Sequence, residues 1–322
     1  MTDKIKSFVF LSALLSSIFS VLGAPRAYST PAATLTNLYD AFGREIDGVR
    51  HDFGFSTIIE YGGKTILFDA GMNAGILENN LRSLKVDLRK IDIAIISHGH
   101  YDHMGGLHYL FRVNPNVKLY LPGDFFSVGA PSRFPFKEPG PLPTALSKDE
   151  QYFRGAASID AMLSDPTGTF WGRNIEFVTE AKEVLPGVTL IPTASTMMGT
   201  FIKYPPFEQN PQHIGMPELS ITFATERGQI IISGCSHTGI EEIIEATRKI
   251  RKEKILLVTG GFHLIPYSRE YIERLAKRMK DAHGVELVAP AHCTGHTGFA
   301  VFREVFGNNY RFFGLGEKIS LE

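Results

Sequence analysis

Ser97-His98-Gly99-His100-Tyr101-Asp102-His103 follows the apolar run Ile91-Asp92-Ile93-Ala94-Ile95-Ile96 and leads into Gly105-Gly106. The apolar run has the near-continuous hydrophobicity of a strand buried on both faces of a sheet. The histidines begin where that strand stops. One histidine at a strand end reads as an ordinary satisfied structural residue, but three histidines and an aspartate in six residues require a common explanation. Imidazoles two residues apart at a strand end can chelate one cation, and Asp102 and His103, coming after a turn, can face a second. Nitrogen and oxygen donors of this kind suit Zn²⁺ first, with Fe or Mn also compatible. The helix-borne His-Glu-x-x-His pattern of many metalloproteases is absent.

Working upstream, Ser56 to Tyr61 and Thr65 to Phe68 flank Gly62-Gly63 and form a β-hairpin that ends at Asp69-Ala70-Gly71. Leu77 to Leu84 reads as a short helix. Downstream, Leu107 to Arg112 reads as a helix and Lys118 to Leu121 as a strand. Residues 122–215 carry eleven prolines beyond Pro122, a density that breaks helices and shortens strands. The stretch is expected to be a loop-rich insertion with a little strand at Ile175 to Val178 and Val188 to Ile191. From Leu219 onward strands and helices alternate: strands at 220–224, 229–233, 254–258 and 286–289, and helices at 239–252, 268–283 and 299–306. In the first of these helices Ile240, Ile243, Ile244 and Ile250 recur at helical spacing while Glu241, Glu242, Arg248 and Lys249 face out. The alternation predicts an α/β fold with sheets packed against helices.

Three of these later strands also run into glycine and histidine: Ser233-Gly234-Cys235-Ser236-His237, Thr259-Gly260-Gly261-Phe262-His263, and Pro290-Ala291-His292-Cys293-Thr294-Gly295-His296. Ligands of open α/β sheets sit beyond the carboxyl ends of strands, so four strand ends deliver imidazoles to one edge.

The chain has 322 residues, 43% of them hydrophobic, enough for a large core. A formal net charge of −1 supplies no basic field for nucleic acid, which is therefore not an expected partner. Lys4 and Lys6 precede an apolar run from Phe8 to Leu22 that ends in Gly23-Ala24, the layout of a secretory signal. Residues 1–29 are read as a leader and residues 30–322 as the working domain, exported to the periplasm or secreted, with no stable membrane span once the leader is removed. A membrane anchor made of the same segment is the alternative. For the two cysteines, Cys235 and Cys293, a disulfide allowed by export and a buried thiol at each site are both open, and the neighbouring histidines add a ligand or pocket role for Cys235.

Ser-His-Gly-His-Tyr-Asp-His resembles the His-x-His-x-Asp-His signature of the metallo-β-lactamase superfamily, and Leu67-Phe68-Asp69-Ala70-Gly71 resembles its upstream Asp-x-Gly element. More narrowly, His51-Asp52-Phe53-Gly54-Phe55-Ser56, Gly234-Cys235-Ser236-His237-Thr238-Gly239-Ile240, Gly260-Gly261-Phe262-His263-Leu264 and His292-Cys293-Thr294-Gly295 resemble the subgroup related to dihydropterin-ribofuranosyl-aminobenzene phosphate synthase. The likeness spans residues 34–322 and implies an αββα sandwich with a two-cation site at one edge of two facing sheets. It implies His98 and His100 on the first cation, Asp102 and His103 on the second, and His292 as the last motif's ligand. Cys235 stands where most members have a bridging aspartate. The usual upstream Gly-His-Thr histidine is missing, which leaves His237, Glu218 or His213 as the third donor to the first cation.

Two adjacent cations would activate a water and polarise a carbonyl or phosphoryl oxygen. Asp102 is the group to orient that water, and His263 can protonate a leaving group or contact substrate, with a ligand role also left open by the resemblance. Asp69 would fix a ligand imidazole from behind. Trp171, Phe134, Phe136, Tyr152 and Tyr204 are available to stack on a flat ring of a small-molecule substrate. The leading expectation is a hydrolase of an ester, lactone, phosphoester or amide. The alternatives are a pterin-related transferase and a secreted, non-catalytic metal- or ligand-binding protein.

Overall fold

The structure is a computed structural model in which residues 31–126, 128–129, 170, 172–197, 201–202 and 213–321 are described. The leader, most of the stretch read as an insertion, Trp171, Phe134, Phe136, Tyr152 and Tyr204 lie outside them.

The chain opens with an antiparallel meander of β1 (Ala33–Tyr39), β2 (Ser56–Tyr61) and β3 (Lys64–Phe68). Gly62 and Gly63 both have positive φ, as a two-residue turn twisted to match its strands requires. Helix α1 (Ala74–Ser83) starts where the Asn73 side chain accepts the amides of Gly75 and Ile76. β4 (Ile93–Ile95) runs parallel to β3 and is followed by α2 (Tyr101–Met104), α3 (Leu107–Val113) and β5 (Lys118–Pro122). Then come β6 (Val128–Gly129), β7 (Ile175–Val178), β8 (Lys182–Leu185), β9 (Val188–Ser195), β10 (Phe201–Ile202) and β11 (His213–Ile214). The last third holds β12 (Met216–Thr225), β13 (Gly228–Ser233), α4 (Ile240–Ile250), β14 (Ile255–Gly261), α5 (Arg269–Asp281), β15 (Leu287–Ala291), α6 (Gly295–Phe306) and β16 (Lys318–Leu321).

Among the described residues these strands make a first sheet in the order β16-β1-β2-β3-β4-β5-β7, a second in the order β15-β14-β13-β12-β9-β8, and a small ribbon β11-β10-β6. One hydrophobic core joins both sheets, through residues such as Leu35, Ile66, Ile221 and Ile230, to Leu77 of α1 and Leu107 of α3. A second core holds α4, α5 and α6 against the other face of the second sheet. Alternation along β13 shows why: Ile230 and Ile232 enter the first core and Ile231 the second. The result is the four-layer αββα sandwich that the resemblance implies.

The differences from the sequence reading have physical reasons. Only Ile93–Ile95 of the apolar run pairs as a strand, although Ile91 and Ile96 are buried beside it. Helix α6 begins at Gly295, four residues before the expected start, because Gly295 and Gly298 fit where larger side chains would strike Ile265 and Thr294. Ile250 is exposed although it lies only about 20° around the helix from the buried Ile243, because it is the last residue of α4. β1 and β16, pairing Ala33 with Leu321, lack the local signals of a hairpin and were not anticipated. The two strands read inside the proline-rich stretch are present and join the sheets: β7 extends the first sheet, and β9 pairs with β12 over eight residues and with β8 on its other side. Apolar runs that fill a sheet outweigh the prolines around them.

Candidate metal centre

β3, β4 and β5 are parallel in one sheet and β13, β14 and β15 in the other. The loops at their carboxyl ends carry Asp69, His98, Cys235, His237, His263 and His292. The backbone makes unusual turns to do this. Asp69, Ser236, His263 and His292 all have φ between 46° and 59°, a left-handed conformation that non-glycine residues seldom adopt and that clusters at functional sites. The glycines beside them allow close approach: a Cβ on Gly234 would stand 2.1 Å from Ser97 Oγ and 2.8 Å from Asp69 Oδ2. Gly105 and Gly106 serve α2 in the same way, pressed on the carbonyls of Met72 and Ala70.

Two groups of donors form. In the first, His98 Nε2 lies 3.0 Å from His100 Nδ1 and 3.2 Å from His237 Nε2. In the second, Asp102 Oδ2 lies 3.2 Å from His292 Nε2 and 3.4 Å from His103 Nε2. Cys235 Sγ stands 3.1 Å from His103 Nε2, and the His98 and His103 rings, 4.2 Å apart, set the groups side by side. His237 thus joins His98 and His100. Glu218 instead accepts the backbone amides of His237 and Thr238 at 3.3 and 3.5 Å, and the side chain of His213 lies outside the described residues. His292 joins Asp102 and His103, whereas His263 lies beside His237, with ring centroids 4.3 Å apart.

Asp69 organises both groups from behind. Its Oδ1 accepts the Ser97 amide at 2.7 Å, while its Oδ2 accepts the Ser97 hydroxyl at 2.8 Å and faces His103 Nδ1 at 2.7 Å. Ser97 Oγ in turn contacts His98 Nδ1 at 2.8 Å. A proton held at Nδ1 of His98 leaves its Nε2 lone pair facing the first cluster, and a proton held at Nδ1 of His103 would leave its Nε2 to serve the second once a bound cation displaces the proton there. His292 is held by its backbone amide on the buried Asp40 carboxylate at 3.1 Å, and its ring lies against Phe53 and Phe55 of the His51 to Ser56 motif.

Burial pushes His98 and His237 well below the usual imidazole range, reinforced by the neighbouring rings. Burial also takes His100 down to about 4. Burial opposes ionisation of Asp102, but His103 and His292 beside it hold its carboxyl well below the usual range. Burial likewise opposes charge on His103, yet Asp102 and Asp69 raise it well above the imidazole norm. Glu218 and Asp40 are each pushed by burial to about 7.

These residues fit divalent cations. A neutral imidazole has one acceptor nitrogen, and three such rings meet at 3.0 to 3.2 Å, where mutual hydrogen bonds can satisfy only some of them. His237 Nδ1 and both ring nitrogens of His292 are buried without a well-aligned hydrogen bond. Converging lone pairs and a carboxylate in a buried pocket are the donor set of a transition-metal site.

Several contributors escaped the sequence reading: Asp40, Phe53 and Phe55 behind His292, and Cys293, whose Sγ lies 3.3 Å from that of Cys235. Phe53, Phe55 and Cys293 stand within the quoted motifs, whereas Asp40 lies in none of them and carries no local signal. Both cysteines are free thiols. Next to His237 and His263 is a cavity of about 150 Å³, lined also by Met197, Tyr267, Tyr271 and Leu275.

Comparison with known proteins agrees with this geometry. The chain is 28% identical over 279 residues to 7,8-dihydropterin-6-methyl-4-(beta-D-ribofuranosyl)-aminobenzene-5'-phosphate synthase of Methanocaldococcus jannaschii, covering 84% of this chain and 90% of that protein. It is also 28% identical to an uncharacterized protein of the same archaeon, MJ0448, covering 83% of this chain and 93% of the other. Among solved structures it is similar to Tm1679, a metal-dependent hydrolase of the β-lactamase superfamily. The TM-score is 0.65 at 25% identity, over 89% of this chain and 98% of that one. The profile of the metallo-beta-lactamase superfamily matches residues 49–216. With that match over half of its length, the chain belongs to the metallo-β-lactamase superfamily.

Proposed function

We propose that the chain is a metal-dependent hydrolase acting on an ester, lactone, phosphoester or amide bond of a small molecule. The observation that carries the reading is the pair of donor groups, His98/His100/His237 and Asp102/His103/His292, meeting at the carboxyl ends of strands from both sheets. Each would hold one divalent cation, Zn²⁺ by preference, with Cys235 in reach of the second. Cations bound there supply Lewis acidity, activating water and polarising the oxygen of the scissile group.

The chain's own residues do the rest. Asp102, kept ionised by its imidazole neighbours, accepts a proton of the attacking water and orients it. Asp69 and Ser97 hold the His98 and His103 rings so that only Nε2 faces the reaction. The cavity beside His237 and His263 receives the substrate's non-reacting part, and a volume near 150 Å³ matches one six-membered ring. Export, read from residues 1–29, is part of the proposal.

A second reading, a pterin-related transferase, is favoured by the 28% identity to the dihydropterin-linked synthase over nearly its whole length. The discriminating test is turnover of generic phosphodiester, ester and lactone substrates by the metal-loaded protein, with chelation as control. Chelation-sensitive turnover supports the hydrolase. Silence on all three together with tight binding of a reduced pterin refutes it in favour of the transferase. N-terminal sequencing of the protein from its native cells tests export, which an intact leader on cytosolic protein would overturn.

A further inference from the structure

Three adjacent parallel strands of the second sheet end in side chains that the two donor groups do not account for. β13 runs into Cys235, β14 into His263 and β15, just past His292, into Cys293. The ligand atoms of Cys235, His263 and Cys293 all lie within 4.8 Å of one another. The two sulfurs are 3.3 Å apart and unbonded, and the His263 amide donates to Cys293 Sγ at 3.3 Å. Two thiolates on a tetrahedral cation with metal–sulfur bonds of about 2.3 Å stand about 3.7 Å apart, whereas a disulfide needs about 2.05 Å. The observed separation is closer to the first. Room for the pair is built into the backbone: a Cβ on Gly261 would stand 2.8 Å from Cys293 Sγ, so only glycine there lets the thiol settle against β14. His263 and His292, with φ of 48° and 46°, hold left-handed turns that bring the His263 ring and the Cys293 thiol to the same side. The cavity beside His237 is lined by His263 as well, so one member of the three borders it.

We propose that Cys235, Cys293 and His263 form a further cation site, selective for thiophilic ions such as Zn²⁺, Cd²⁺ or Cu⁺, adjoining the imidazole-carboxylate groups and sharing Cys235 with the second of them. Two sulfurs and one nitrogen are a soft donor set, while the neighbouring groups are built from nitrogen and oxygen. Of the roles that the sequence leaves open for His263, this one makes it a ligand and not a proton donor. The inference does not depend on hydrolysis, since it rests on thiolate coordination alone.

The test uses the full chain stripped of metal and titrated with Cd²⁺ as the probe. The expected result is thiolate-to-metal charge-transfer absorption in the parent. Cys293→Ser should lose most of that absorption and bind one cadmium fewer per chain, while His98→Ala leaves the absorption in place. Unchanged absorption and stoichiometry in Cys293→Ser would overturn the proposal, as would a parent with no charge-transfer band. Cadmium-edge X-ray absorption on the parent needs no variant. A sulfur shell with both thiols bound supports the site, and a shell of nitrogen and oxygen alone refutes it. Loss of turnover in His98→Ala with the cadmium–thiolate signal intact would separate a failure of the hydrolytic site from a failure of this one.

Discussion

Asp69→Asn is the sharpest single test of how the centre is held together. The parent carboxylate accepts from the Ser97 amide at 2.7 Å and the Ser97 hydroxyl at 2.8 Å, and it faces His103 Nδ1 at 2.7 Å. With the amide oxygen kept on the Ser97 amide, the new NH₂ points at Ser97 Oγ and at the Nδ1 proton of His103. Two donors then oppose each other. His103 can escape only by moving its proton to Nε2, which removes the lone pair directed toward Asp102 and Cys235. Ser97, now receiving a proton from behind, no longer accepts cleanly from His98. A lost charge-assisted hydrogen bond costs about 1.5 to 3 kcal/mol, and changes of partners behind metal ligands typically cost about 10- to 100-fold in metal affinity, or roughly 1.4 to 2.7 kcal/mol. The assay is competition for Zn²⁺ against a calibrated chelator, with urea unfolding of the metal-free protein run alongside. Affinity within about threefold of the parent would refute the claim that Asp69 sets the tautomers of both imidazoles.

Four further expectations follow from the same geometry. The double variant His98→Ala with His103→Ala removes one donor from each group and should purify with transition-metal content reduced to background, as measured by elemental analysis; parental content would remove the metal assignment. Chelation should lower the melting temperature, since an ion present at about 1,000 times its dissociation constant adds about 4 kcal/mol to stability, and an unchanged melting curve would contradict tight binding. Gly106→Ala would drive a Cβ to 2.0 Å from the Ala70 carbonyl and should cost about 3 kcal/mol or more in urea unfolding. Glu218 is buried with its pKa raised to about 7 from 4.5, so in metal-free protein its ionised form weakens the fold. That penalty is absent below pH 4.5, grows as pH rises, and is complete above about 7. Glu218→Gln should therefore exceed the parent by up to about 3 kcal/mol at pH 8 and match it near pH 4.5; a pH-independent difference would contradict this.

The chemistry of the chain was more legible than its edges. The strand ending at Ile95 and the loop after it announce themselves because apolar continuity stops abruptly at a dense set of donors. The Gly-His endings after β13, β14 and β15 were readable for the same reason, and of the three donors left open by the lack of an upstream Gly-His-Thr element, His237 has its ring 3.2 Å from His98 Nε2. What sequence could not supply was long-range pairing. β16 meets β1 across nearly the whole chain, and the identity of its partner has no local signature. His263 and His292 follow equivalent strands with similar neighbours, and only the lateral position of each strand in the sheet separates them. The close contact of Cys235 with Cys293 likewise depends on the parallel register of β13 through β15.

Each donor group draws two members from the loop and helix after β4 and one from the second sheet's strand ends: His98 and His100 with His237, Asp102 and His103 with His292. The span from His98 to His237 is 139 residues. A cation in either group would therefore behave as a reversible cross-link between distant parts of the chain, closing a loop whose entropy is worth about 4 to 5 kcal/mol in the disulfide analogy. Fully loaded protein should resist splaying of its two sheets, and stripped protein should loosen first along the rim where they meet. Metal supply would then govern how long the molecule survives proteolysis as well as how it reacts.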